Sequence, residues 1–230
     1  MAINSKFKIV FIMSFLTLAL CMGNVFAASN NKPTEVNADT IEYNTQSGVI
    51  TATGNVVMVQ EGSKITGQKA VYNTKTQQGS VTGNVVADKD DLHMTANEIF
   101  TQGANNLVAS GNVVAHKQDK TITGSRLEYN SQTDYAVMPN GGTIVTADGS
   151  ITGNHLEAYM KENHFIATGN VHIVSQTRNI DAYSDNADYY SDGSGKAILQ
   201  GHAVAMQDNN TIRGDRLTLY LNDAGQAAVK

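Results

Sequence analysis

Two short phrases alternate along almost the whole chain, and their common period decides what it can fold into. The first is a small residue, then a mixed stretch with an apolar position, closing on an aromatic. It reads ADTIEY (38–43), GQKAVY (67–72), ANEIF (96–100), GSRLEY (124–129), GNHLEAY (153–159), SDNADY (184–189) and GDRLTLY (214–220). Its leading positions are 29, 29, 28, 29, 31 and 30 residues apart. The second phrase turns on Gly-Asn-Val, as in ITATGNVVMV (50–59), SVTGNVVA (80–87), LVASGNVVAH (107–116) and FIATGNVHIV (165–174). NGGTIV (140–145) and QGHAVAM (200–206) are degenerate copies of it. Two signals in step predict seven repeats of roughly 29 residues, each holding about two strands of eight to ten residues with turns between.

Composition inside the phrases supports strands. Val, Ile, Thr and Tyr crowd them, while joints such as YNTKTQQG and YNSQTD are polar and turn-forming. Only Pro33 and Pro139 could interrupt a ladder. After the first thirty or so residues no window carries an apolar stripe of helical period.

The alternation fixes which way side chains point. Phe165, Ala167, Gly169, Val171 and Ile173 share one parity, as do Ile50, Ala52, Gly54, Val56 and Met58, and Leu107, Ala109, Gly111, Val113 and Ala115. That apolar column faces a core and the other parity faces water. In the first phrase the parity slips. Val36 and Ala38 lie on one face, Ile41 and Tyr43 on the opposite one. A slip at a small residue is what a bulge or corner produces, so each unit is expected to fold over and stack as one of seven rungs, at about 4.8 Å between strands.

The N-terminus reads differently. Lys6 and Lys8 precede a mostly apolar run from Ile9 to Met22, and Val25 and Ala27 fit the −3 and −1 positions of a cut after Ala27. Residues 1–27 are expected to be a cleaved signal peptide and 28–230 the folded domain. Cleavage would remove Cys21, the only cysteine, so no disulfide or thiolate metal site is expected. It would also take the formal net charge from −5 to −7. No basic stripe remains to displace counterions from a nucleic acid, so none is expected as a partner.

Chemistry is sparse. His93, His116, His155, His164, His172 and His202 have no metal-ligand spacing, and no GxSxG elbow occurs. The DKDD run (88–91) and the acids of DAYSDNADYYSD (181–192) lack the spacing of a calcium loop and read as solvated turns. Asn55, Asn84, Asn112 and Asn170 recur at the period and read as ladder or turn residues. Nothing points to catalysis, a cofactor or a metal.

The ordered alternation of "A-D-x-[IL]-x-Y" with "TGNV", in a chain with a leader and no other cysteine, resembles the OstA-like (LptA) family of periplasmic lipopolysaccharide-transport proteins. The likeness spans about residues 32–222. It implies a repeat-built β-jellyroll of about 14 antiparallel strands, open along one side like a folded taco around an apolar groove. It also implies a carrier that holds lipopolysaccharide by its lipid A acyl chains. Such a carrier stacks head to tail through its edge strands and bridges inner-membrane and outer-membrane transport components.

The residues expected to line the groove are Val36, Ile50, Val56, Met58, Ile65, Val81, Val85, Leu107, Val113, Phe165, Val171, Ile173 and Leu199. The energetics suit a carrier. At about 0.8 kcal/mol per methylene, an acyl chain of about 14 carbons costs on the order of 10 kcal/mol to expose to water. Three other readings stay open. They are a membrane-tethered LptC-like subunit with its N-terminal segment retained, a ligand-free structural β-solenoid, and a polysaccharide lyase of the β-helix kind.

Overall fold

A computed structural model describes residues 9–11, 34–60, 62–102, 105–130, 132–191 and 193–221. Of the expected signal peptide only Ile9–Phe11 is among them, so the cleavage site at Ala27 lies outside the described residues, as do Cys21 and Pro33. Contacts cluster into two compact units. Unit 1 comprises residues 1–117 with 130–132, and unit 2 comprises 118–129 with 133–230.

In unit 1 the strands are β1 (Ile9–Phe11), β2 (Thr34–Asn37), β3 (Thr40–Asn44), β4 (Val49–Gln60), β5 (Ser63–Asn73), β6 (Gln78–Lys89), β7 (Leu92–Thr101) and β8 (Asn106–Lys117). Each pairs antiparallel with the next, except that β2 and β3 both lie along β4. The DKDD run makes the tight turn between β6 and β7.

Unit 2 carries β9 (Lys120–Asn130, up to Tyr129), β10 (Tyr135–Met138), β11 (Gly142–Thr146), β12 (Gly149–Gly153), β13 (His155–Tyr159), β14 (His164–Ser175), β15 (Ile180–Tyr190), β16 (Lys196–Gln207) and β17 (Asn210–Tyr220). Here β11 pairs with β9 and β12, and β10 with β13. Strands β12 and β13 both lie along β14, and β14 to β17 follow in order. One 3-10 turn, Met160–Glu162, precedes β14.

The 17 strands among the described residues come close to the expected 14 or so, three rungs being split in two at the corner: β2 with β3, β10 with β11, and β12 with β13. The β10–β11 break falls at Pro139, which has no amide hydrogen for a ladder. Most unbroken strands run 10 to 12 residues, longer than expected. The reason is that the Gly-Asn pair bends a strand without ending it. Each repeat therefore supplies two bent rungs, where one had been expected.

The bend is a β-bulge of fixed design. Between β4 and β5 the register shifts from Thr53↔Lys69 to Val56↔Gly67, so Gly54 and Asn55 together oppose Gln68 alone. The same shift recurs at Gly83-Asn84, Gly169-Asn170 and Gly201-His202. Both bulge residues take positive φ, 77° at Gly54 and 47° at Asn55. Glycine takes that conformation freely and asparagine at small cost. On the facing strand two successive residues point outward at the corner. In β5 Gly67 is buried, Gln68 and Lys69 are exposed, and Ala70 is buried again. That is the parity slip read in the first phrase, and it returns both halves of the strand to one interior.

Candidate functional site

The alternation sets the interior. Twelve of the thirteen expected lining residues are at most 7 % exposed: Ile50, Val56, Met58, Ile65, Val81, Val85, Leu107, Val113, Phe165, Val171, Ile173 and Leu199. Val36 is half-buried, because its rung has β4 on one side and only the three-residue β1 on the other. The described units thus hold apolar interiors, with Ser63, Asp134, Ser175 and Ser184 the only buried polar side chains among the described residues. Such interiors, with Asp134 taken up by Tyr129 and Lys161, offer chiefly dispersion contacts, which suits hydrocarbon and rejects polar cargo.

The rims of unit 2 are where strand ends meet. A 12-residue strand drawn straight spans about 40 Å, yet groups at opposite ends of the rungs are in contact. The Leu221 carbonyl, just past the Tyr220↔Lys196 end, accepts a hydrogen bond from Ser175 Oγ at the far end of β14, at 3.0 Å. The Leu221 N–H donates to the Gly195 carbonyl at 2.8 Å. Tyr189 Oη, also on the first rim, donates to Asp148 Oδ2 in the β11–β12 turn of the second, at 3.2 Å. Burial, then the charge of Asp148, pushes the Tyr189 hydroxyl up to about 12, so it stays a neutral donor. Beneath these contacts lies a small cavity of about 10 Å³ walled by Ile144, Ile151, Ile173, Tyr189 and Leu221.

Outside, the first rim is braced by stacked rings. Tyr135 and Tyr159 lie 5.0 Å apart, Tyr159 and His164 5.7 Å, His164 and Tyr190 4.4 Å with parallel planes, and Lys196 Nζ sits 5.9 Å over Tyr190. Glu157 collects Tyr135 Oη at 2.8 Å, Tyr159 Oη at 3.0 Å and His155 Nε2 at 3.2 Å. Burial opposes ionisation of that carboxyl, but the three hydrogen bonds outweigh it and hold the group below its ordinary value. The Tyr135 hydroxyl is pushed up, by burial first and then by Glu157. Other histidines pair with acids across strands: His164 with Asp188 at 2.9 Å, His172 with Asp181 at 2.8 Å and His202 with Asp185 at 2.7 Å. These are outward-facing ladders of paired groups, and among the described residues no three His, Cys, Asp or Glu converge as a metal site.

The end rungs differ from the rest. Strand β17 pairs with β16 alone among the described strands, and its Ile212 is 38 % exposed. In unit 1 Tyr43 of β3 is 45 % exposed. Beside β17 opens a cleft of about 80 Å³ lined by Ile180, Ala205, Met206, Ile212 and Leu219, with Arg178 also in its wall.

Leu221, Tyr189 and Ser175 did not stand out in the sequence. Tyr189 ends one of the repeated phrases, but nothing local tells that its hydroxyl reaches a turn 41 residues away.

A family model described as "LptA/(LptD N-terminal domain) LPS transport protein" matches residues 35–164. Among solved structures, the chain is similar to LptH, "the LptA homologous periplasmic component of the conserved lipopolysaccharide transport device from Pseudomonas aeruginosa". The two are 13 % identical over 71 % of this chain and 79 % of that one, with a TM-score of 0.19. At that level the fold assignment rests on the strand pairings and not on the superposition. No curated protein sequence matches the chain. No helix among the described residues is long and apolar enough to cross a membrane.

Proposed function

The chain belongs to the LptA/LptD N-terminal-domain family of LPS transport proteins, and from that premise we propose that it is a periplasmic carrier holding lipopolysaccharide by its lipid A acyl chains. The observation that carries the reading is the apolar column repeated rung after rung, from Ile50 and Val56 to Phe165, Val171 and Leu199. Hydrocarbon shed from a membrane is stabilised there by burial alone, and no covalent step or cofactor is required. The sugars stay outside, against the polar outer faces.

The end rungs support the rest of the proposal. Strand β17 pairs with β16 alone among the described strands and leaves Ile212 exposed, and β3 carries the exposed Tyr43. Edges of that kind favour strand addition. Copies of the chain would stack head to tail on them, with inner-membrane and outer-membrane transport components at the ends of the bridge.

Photo-crosslinking in cells tests the carrier. With a photoreactive residue at Phe165 or Val113, lipopolysaccharide adducts are expected, and outward Asn170 should give none. Near-complete burial of the interior makes a ligand-free β-solenoid the competing reading. A folded, exported protein with no adduct at either inner position would establish that reading instead.

A further inference from the structure

Two hydrogen bonds, Ser175 to Leu221 and Tyr189 to Asp148, tie the rims of unit 2 together, and a carrier of acyl chains has to be opened somewhere. We propose that Leu221 is the gate residue of this interior: a latch across the two rims that swings out to admit an acyl chain sideways. This rests on the carrier reading above.

Three observations converge on it. First, Leu221 belongs to no strand, yet it is 4 % exposed and sits against Ile144, Ile151 and Ile173, the inner side chains of β11, β12 and β14. Second, its anchor to the opposite rim is a single buried hydroxyl, its N–H being held on its own rim by Gly195. Ser175 is 1 % exposed, and its Oγ donates to the Leu221 carbonyl while accepting the Arg178 N–H at 3.4 Å. The Arg178 N–H stays with that oxygen, but the hydroxyl proton finds an acceptor only with the latch closed or with a polar group in its stead. Third, Leu219 lines the cleft of about 80 Å³ beside β17, whereas Leu221, two residues on, lines the small cavity it shares with Ile151 and Ile173. The latch therefore stands between that cleft and the buried apolar column of Phe165, Val171 and Ile173.

The chemistry of exchange is even-handed. Opening removes one leucine side chain from the cavity and breaks hydrogen bonds to Ser175 and Gly195. An arriving run of methylenes restores the apolar contacts against Ile151 and Ile173. A ligand that binds only the open form shifts the population by its own differential affinity. Tyr189–Asp148 is a second tie between the rims, made by a side chain on a paired strand, and stays as the hinge side of the opening.

The test uses full-length protein with Cys replacing both Ser175 and Leu221, since Cys21 lies in the segment expected to be removed. The pair is bridged with a short bis-thiol reagent or capped singly with a mono-thiol reagent. Purified lipopolysaccharide is added, and adducts are scored at a photoreactive phenylalanine analogue at Phe165. The bridged form should load about ten-fold less than the capped form, because loading follows the fraction of open molecules. Without any reagent, Leu221→Ala and Ser175→Ala should load faster than wild type, with the strand circular-dichroism signal unchanged. Equal loading of bridged and capped protein, with no acceleration in the alanine variants, would overturn the gate and leave the carrier standing. No adduct in wild type would overturn the carrier reading and the gate with it.

Discussion

At Gly54 two demands meet on one α-carbon. Its φ of 77° disfavours any side chain, and a methyl group there would lie 2.3 Å from Asp39 Oδ2. Asp39 is the second residue of the ADTIEY phrase, and its carboxylate accepts from Asn55 Nδ2 at 2.9 Å. The two phrases keep step because one supplies the bulge and the other the polar group packed over it; Asp185 over Gly201 repeats the arrangement. Gly54→Ala is therefore expected to cost roughly 1–3 kcal/mol and Asn55→Val a similar amount, with Asn55→Gly close to neutral, read as urea-denaturation midpoints. At Gly201-His202 a histidine takes the asparagine place. Its hydrogen bond to Asp185, then the charge of that group, raises the His202 pKa above its usual 6.5. A raised folded-state value means the pairing favours the native protein below about pH 6.5 and fades as pH climbs through the raised value. In an NMR titration Asp185→Asn should return the His202 midpoint toward the ordinary imidazole range.

The strand is the scale at which sequence reading reached furthest and then stopped. Parity told inside from outside for Ile50, Val81 and Phe165 because pleating makes it a local property. It did not tell that Gly54 and Asn55 carry a strand through its bend, since the same pair also closes hairpins. Nor could it separate Val36 from Val56. Both are valines on an inward parity, but Val36 has only the three-residue β1 on one side and is half-buried, whereas Val56 is 1 % exposed. The last rung shows the same effect, with Ile212 uncovered on β17. If copies associate through that strand, Ile212→Lys should weaken self-association about ten-fold by light scattering, since it sets a charge where apolar contact forms. Monomer stability should barely change. Unaltered association would send the search for the contact elsewhere.

At the scale of the molecule, what was legible was whatever the period writes many times over. The apolar column, the corners and the antiparallel order are each encoded at every repeat, so a degenerate copy such as NGGTIV does not hide them. The rims are encoded once. Leu221 and Ser175 are 46 residues apart and meet only after the rungs have bent, so their contact is a product of the assembled unit.

The paired corner also makes the repeat an indivisible quantum of inheritance. Losing one codon inside a rung would turn its apolar column to the outside beyond that point. Duplicating or excising one whole segment of 29 residues, such as 67–95, would leave every bulge opposite its polar partner. Recombination between segments of the same phase can thus change the number of rungs in one event. The length of apolar interior is open to variation by copy number, with no new fold to be discovered along the way.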